Sequence, residues 1–177
     1  MENDNKFKLL INETEIDSRV KQLGQIITND YIDKKLLLVG ILKGSFVFLS
    51  DLMRAIQLEL MIDFMSVSSY RGTMSTGNVT ISKDISTELS DSHILLVEDI
   101  LDSGRTLYEV TKILEGRNPI SVEICALLDK PSKRVVDISA KYIGFTIPDE
   151  FVVGYGLDFK ENYRNLRDIV VLNKYKN

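Results

Sequence analysis

Between Val97 and Leu107 the chain reads Val-Glu-Asp-Ile-Leu-Asp-Ser-Gly-Arg-Thr-Leu, which gathers carboxylates, hydroxyls, a glycine and a cation into one short stretch. The apolar run Ile94-Leu95-Leu96-Val97 drives the chain into a sheet, and the adjacent acids Glu98 and Asp99 follow where the strand is expected to end, at Asp99. Neighbouring side chains on a strand diverge, so both acids cannot enter a core without partners; the pair is expected to face a cation or hydroxyls. Asp102-Ser103-Gly104-Arg105-Thr106 then turns the chain into a helix. The glycine permits close backbone approach. The unpaired N–H groups of the helix start, with the Ser103 and Thr106 hydroxyls, make a pocket suited to a phosphate. Taken alone, Asp102 and Ser103 read as helix caps. The acid pair before them tips the reading toward a phosphorylated sugar, with acids for the hydroxyls and amides for the phosphate.

Other chemistries find no support. There is no G-x-x-x-x-G-K-[ST] run, and Gly154-Tyr155-Gly156 lacks a third glycine because position 159 is Phe, so neither a P-loop nor a dinucleotide fingerprint is present. A Ser-His-Asp hydrolase would have to use His93, which enters a strand rather than ending one and is expected at the surface or a strand edge. One Cys (Cys125) and one His permit no intrachain disulfide and no closed zinc site of the usual Cys/His kind, and point to a reducing compartment.

The elements that must position this segment are legible from periodicity. Ile16, Val20, Leu23 and Ile27 recur at helical spacing behind Asn12 and Glu15, a capping pair, and predict a helix over Glu13 to Asp30. Leu36 to Ile41 is a continuous apolar run, as in a strand covered on both faces. Phe46, Leu49, Leu52, Met53 and Ile56 predict the next helix, directly after Gly44-Ser45. Leu60 to Val67, His93 to Asp99 and Val122 to Leu128 read as further strands, with Leu107, Val110, Thr111 and Leu114 as the stripe of a helix between the last two. Phe151-Val152-Val153 and Ile169 to Leu172 read as short later strands. Strands alternating with helices predict an α/β fold with a largely parallel sheet, which binds ligands at the carboxyl ends of its strands. Ser68 to Asn78, poor in large apolar groups, is expected to be an exposed loop, either a lid or a wide β-turn leading into Val79-Thr80-Ile81. Phe145 to Arg167 is expected to be irregular.

Composition bounds the class. The 177 residues are 44% hydrophobic and 27% charged, with 10 Gly and 3 Pro, and no linker or repeat divides them, so residues 1–177 are read as a single domain. Twenty-two basic against 26 acidic residues give a net charge of −4, which disfavours a nucleic-acid binder. The polar, acidic start Met1-Glu2-Asn3-Asp4-Asn5 is unlike a secretory signal and no apolar run is long enough to span a membrane, so a cytoplasmic protein without membrane contact is expected.

Val97 to Leu107 resembles the phosphoribosyl pyrophosphate signature of the type I phosphoribosyltransferases, closely in the form found in the hypoxanthine and hypoxanthine-guanine phosphoribosyltransferases. Leu42-Lys43-Gly44, Ser69-Tyr70 with Ser75-Thr76-Gly77, Leu128-Asp129-Lys130, and Phe151 through Asp158 to Arg164 match in register. The resemblance implies a mainly parallel twisted sheet flanked by helices, with a small hood formed by chain-terminal segments and a mobile loop. It implies transfer of ribose 5-phosphate from phosphoribosyl pyrophosphate to N9 of hypoxanthine or guanine, giving IMP or GMP and pyrophosphate with Mg2+, in a homodimer or homotetramer. By the same resemblance Glu98 and Asp99 hold the ribose hydroxyls, directly or through the metal, and Asp102 is the general acid/base near purine N7. Ser103, Gly104, Arg105 and Thr106 wrap the 5′-phosphate; Arg105 stands where the family often has Lys or a neutral residue. Lys43, Gly44 and Arg164 bind pyrophosphate, with a cis peptide between Lys43 and Gly44. Lys130, Phe151, Val152 and Asp158 belong to the purine site, Asp158 also being the carboxylate for a second magnesium, and Ser69 and Tyr70 belong to a closing loop. Read without the resemblance, Lys130 is a loop lysine, Lys43 a solvated lysine at a helix start and Phe151 a core residue. Regulators of this fold that bind nucleic acid, and enzymes preferring xanthine, share the signature.

Overall fold

The capping pair at Asn12 and Glu15 is present: Glu15 N–H donates to Asn12 Oδ1 at 3.0 Å, and Asn12 N–H donates to Glu15 Oε2 at 3.0 Å. With those donors satisfied, helix α1 runs Glu13–Asp30 and buries Ile16, Val20, Leu23 and Ile27, as the spacing predicts. The structure, a computed structural model, describes residues 6–69 and 79–173. Strand β1 (Phe7–Ile11) precedes α1. After it come β2 (Leu36–Leu42), α2 (Phe46–Ala55), β3 (Leu60–Ser69), β4 (Val79–Lys83), β5 (His93–Leu101), α3 (Arg105–Glu115) and β6 (Ser121–Asp129). A 3-10 turn (Pro131–Lys133), β7 (Tyr142–Thr146), β8 (Val152–Val153) and β9 (Ile169–Leu172) complete the order.

The main sheet has the order β4-β3-β2-β5-β6-β7, parallel throughout except between β3 and β4. The apolar run of β2 is covered on both faces, as expected. Leu36 and Leu38 join the core beneath α1 and α2, while Leu37, Val39 and Ile41 join the one beneath α3. Leu107, Val110 and Leu114 of α3 are buried. Each contributes about 2 kcal/mol by leaving water, and together they fix where the N-terminus of α3 points. A second, antiparallel sheet, β1-β9-β8, is the hood built from the chain-terminal segments.

Strand β5 does not end at Asp99. It continues to Leu101 because β6 runs on beside it, pairing Ile100 with Leu128 and Leu101 with Asp129. Glu98 and Asp99 are therefore inside the strand. Two strands escaped the periodicity: β1, mostly exposed, has no apolar alternation, and β7 carries Gly144 at its middle. The backbone of Ser69 ends β3 opposite Val79. Tyr70 and the remainder of the expected closing loop lie outside the described residues.

Candidate active site

The site begins where β2 leaves β5. Their last pair is Gly40 with Val97, so from Glu98 onward β5 is bordered only by β6, and the turn between β2 and α2 lies against the uncovered edge. The chain makes that turn with a cis peptide at Leu42–Lys43, one bond earlier than the Lys43–Gly44 bond expected from the sequence. The glycine serves packing instead: a Cβ on Gly44 would overlap Asp99 Oδ2. Ser45 does not cap α2 with its side chain; its hydroxyl turns back to donate to Ile41 O at 2.6 Å.

Both acids of β5 are desolvated. Burial pushes the Asp99 carboxyl up to about 6, against the pull of the Ile100 N–H that donates to Oδ1 at 2.9 Å and of the nearby Arg164 charge. Burial first, and the Asp99 charge second, hold the Glu98 carboxyl well above the usual carboxylate range. Glu98 Oε2 is buried with no hydrogen-bond partner among the described residues. Two adjacent strand acids are expected to need partners, and the bare Glu98 oxygen departs from that; it is the kind of oxygen donor a hard cation requires.

The turn into α3 carries no side-chain cap. Its N-cap is Gly104, at φ 81, rather than Asp102 or Ser103, and among the described residues no side chain caps the helix start. The left-handed φ requires glycine, and the space a Cβ would need is filled by Ile138 and Arg134. The helix start, flanked by Ser103 and Thr106, is thus free of internal capping and suited to an anion. Asp102 and Arg105 are exposed beside it.

Just past the end of β6, Lys130 does lie in the loop, as read without the resemblance, but it is nearly buried there. It is only 6% exposed, its N–H donating to Leu101 O at 3.0 Å and its ammonium to Glu150 O at 2.7 Å. Phe151 is not core: it is 41% exposed and stands edge-on to Phe159, with ring centroids 5.7 Å apart. Leu172 N–H donates to Phe151 O, so the adjacent pair Val152 and Val171 is the non-hydrogen-bonded one. Val152 consequently directs its N–H and C=O away from β9, off the edge of the hood beside Phe151.

The loop from Gly154 to Arg164 closes the site near Asp99. Arg164 donates to Gly156 O at 2.7 Å and pairs with Asp158 Oδ1 at 2.8 Å and Glu161 Oε2 at 3.4 Å. Lys43 is exposed, and its ammonium reaches Glu161 Oε2 at 3.0 Å. Gly156 lies on Gly44 O with no room for a Cβ. Glu98, Asp99 and Asp158 are not drawn into one metal cluster, since no group of three or more metal-ligating side chains occurs among the described residues. That arrangement still fits magnesium, which is bound through one or two carboxylates and completes its octahedron with waters and phosphate oxygens. His93 takes the position expected of it, half-buried at the start of β5 with Nδ1 2.8 Å from the Ser121 hydroxyl.

Sequence reasoning missed Arg134, Glu161 and the Glu150 carbonyl. None carries a local pattern, because each acts through a partner far along the chain or through backbone. Cavity size is no guide either. A cavity of about 1080 Å³ lies between α1, α2 and residues 164–167, and its lining includes Arg164 but none of Glu98, Asp99, Asp102 or Lys130. No described helix is long and apolar enough to cross a membrane.

A largely parallel α/β sheet with a desolvated acid pair and an uncapped helix start at its carboxyl edge brings carboxylate oxygens and backbone N–H donors together, the groups that suit sugar hydroxyls and a phosphate. The family description Phosphoribosyl transferase domain matches residues 12–160. The hypoxanthine-guanine phosphoribosyltransferase of Staphylococcus epidermidis is 53% identical over 159 residues, covering 89% of each chain. The hypoxanthine phosphoribosyltransferase of Buchnera aphidicola is 51% identical over 163 residues, 90% of this chain and 92% of that one. The crystal structure of a hypoxanthine phosphoribosyltransferase from Staphylococcus aureus superposes over 100% of both chains, with a TM-score of 0.93 and 49% identity. The chain belongs to the phosphoribosyltransferase family.

Proposed function

We propose that the protein is a purine-salvage enzyme, a hypoxanthine (guanine) phosphoribosyltransferase, which moves the ribose 5-phosphate of phosphoribosyl pyrophosphate to N9 of hypoxanthine or guanine. The bond from C1′ to the pyrophosphate oxygen breaks, the bond from N9 to C1′ forms, and the purine gives up a proton; the products are IMP or GMP and pyrophosphate. The observation that carries this reading is Lys130, a nearly buried lysine tied to the Asp102 loop through Leu101 O and to the residue before Phe151 through Glu150 O. A base-recognition group and a phosphosugar loop thus share one support.

In this reading Ser103 to Thr106 receive the 5′-phosphate on backbone N–H groups and hydroxyls, Arg105 contributing its amide. Glu98 and Asp99 hold the ribose hydroxyls. Lys130 donates to the purine 6-oxo group, Phe151 stacks on the ring, and the outward N–H and C=O of Val152 read its edge. Asp102 exchanges a proton at N7 as N9 becomes the nucleophile. Lys43, Gly44 and Arg164 receive pyrophosphate. Glu98, Asp99 and Asp158 are the residues that would hold magnesium, which supplies positive charge to the departing pyrophosphate when bound. We take the enzyme to be cytoplasmic and a homodimer or homotetramer.

The test separates the two halves of the site. Lys130→Ala should weaken hypoxanthine binding by about tenfold or more, the loss expected for a charged hydrogen bond, while binding of phosphoribosyl pyrophosphate changes far less. Equal losses for both ligands would make Lys130 a structural lysine and remove the main support for the purine assignment.

A further inference from the structure

The carbonyls of Leu101, Asp102 and Ser103 are all held by the segment that follows β6. Lys130 N–H donates to Leu101 O at 3.0 Å, the Arg134 guanidinium donates through Nη1 to Asp102 O, and Val135 N–H donates to Ser103 O at 3.1 Å. A trans peptide is planar, so fixing each carbonyl aims the N–H of the following residue the opposite way. These bonds therefore orient the N–H groups of Asp102, Ser103 and Gly104, the concavity of backbone donors that an anion needs. Only the middle bond is made by a side chain.

That side chain is itself anchored. Arg134 Nη2 pairs with Asp129 Oδ1 at the end of β6, where the two side chains are 17% and 10% exposed. A planar guanidinium can hold a carboxylate and a carbonyl at once in fixed geometry, which an ammonium on a flexible stem cannot do as rigidly. The stem packs as well, with Cδ 3.1 Å from where a Gly104 Cβ would sit. Leaving the Asp129 carboxylate without a partner in so covered a place would be costly, so the pair holds the guanidinium against Asp102 O.

We propose that Arg134 is a positioning residue: its guanidinium ties the Asp102 carbonyl to Asp129, aims the Ser103 N–H into the phosphate pocket, and keeps Asp102 in register with Lys130. The inference rests on the reading of Asp102 and of Ser103 to Thr106 given above.

The test compares Arg134→Met, which keeps the stem, with Arg134→Lys, which keeps the charge, and with Arg117→Met. The last removes the exposed pair between Arg117 and Asp84, at 2.8 Å, at the other end of α3. Calorimetric affinity for phosphoribosyl pyrophosphate without purine, kcat, KM for hypoxanthine and Tm are measured for each. Arg134→Met should lower both kcat and phosphoribosyl pyrophosphate affinity by about tenfold to a hundredfold, the loss expected when reacting groups are misplaced by a fraction of an ångström to an ångström. KM for hypoxanthine should move far less, Arg134→Lys should recover only part of the loss, and Arg117→Met should keep wild-type kcat. Should Arg134→Met fail to fold, Asp129→Asn provides the same reading, with a smaller loss of kcat and affinity expected. Values for the foldable variant within about twofold of wild type, or a loss no larger than that of Arg117→Met, would overturn the proposal. Because the affinity is read without purine, a wild-type protein that binds phosphoribosyl pyrophosphate but ignores hypoxanthine would contradict the proposed function and still leave Arg134 decided.

Discussion

Gly44 packs so closely on Asp99 that a Cβ at position 44 would overlap the carboxylate Oδ2. Gly156 packs in the same way on the Gly44 carbonyl. The loop after β8 therefore packs on the turn after β2, and that turn packs on the β5 carboxylate proposed to hold the ribose and magnesium. Gly44→Ala must displace one of them. Turnover is expected to fall by about a hundredfold, in line with small misplacements of reacting groups, and Tm should fall with it. Steady-state kinetics of the variant check this; near-wild-type kcat would show that the contact does not position the site.

Glu98 keeps Oε2 buried without a donor next to another desolvated acid. Such a site stores instability that binding relieves. A folded pKa above the unfolded one costs stability as pH rises. Glu98→Gln, which cannot ionise, is therefore expected to make the ligand-free protein more stable at neutral pH by about 1–2 kcal/mol, with the difference vanishing below about pH 4, while lowering turnover. Thermal unfolding in the absence of magnesium reads the first effect, and a lowered Tm would contradict it.

Asp63 of β3 fixes the segment after β4. Its carboxylate accepts from the N–H groups of Phe64, Ser86 and Thr87 and from the Ser86 and Thr87 hydroxyls, with the Lys83 ammonium at 3.2 Å. Burial pushes this carboxyl up, but the hydrogen bonds outweigh it and hold the group well below the usual carboxylate range. A folded pKa below the unfolded one gives stability that is fully present above about pH 4 and is lost as pH falls through the folded value. Asp63→Asn should cost about 2 kcal/mol at neutral pH, and its difference from wild type should narrow under acid. Denaturant unfolding at several pH values tests this; a constant difference into strong acid would refute it.

Phe151 is substantially exposed, so it contributes little to the core. Phe151→Ala is expected to raise KM for purine by about tenfold while costing no more than about 1 kcal/mol of stability, the worth of its edge-on contact with Phe159. A large loss of Tm with unchanged KM would return Phe151 to a structural role.

Local patterns carried much of this molecule. The capping pair and apolar stripe of α1 and the doubly covered β2 could be read from the sequence because the residues that define them are neighbours in the chain. What was lost depends on distant partners. Strand β5 outruns its acid pair because β6 stays beside it to Asp129. The cis bond at Leu42–Lys43 lies one position from the glycine that drew attention to the turn. Phe151, read as core, is 41% exposed, and Lys130 is covered because its ammonium reaches the Glu150 carbonyl twenty residues on. Arg134 has no local signature, as one of its partners, Asp129, lies five residues back across the 3-10 turn and the other is a backbone carbonyl thirty-two residues away.

The most direct measurement is nucleotide formation from phosphoribosyl pyrophosphate, magnesium and each of hypoxanthine, guanine and xanthine, with wild type and Asp102→Asn side by side. Wild type should form IMP from hypoxanthine and GMP from guanine, and Asp102→Asn should be slower by about a hundredfold while still binding phosphoribosyl pyrophosphate. Binding of phosphoribosyl pyrophosphate with no nucleotide formed from hypoxanthine or guanine would contradict the assignment.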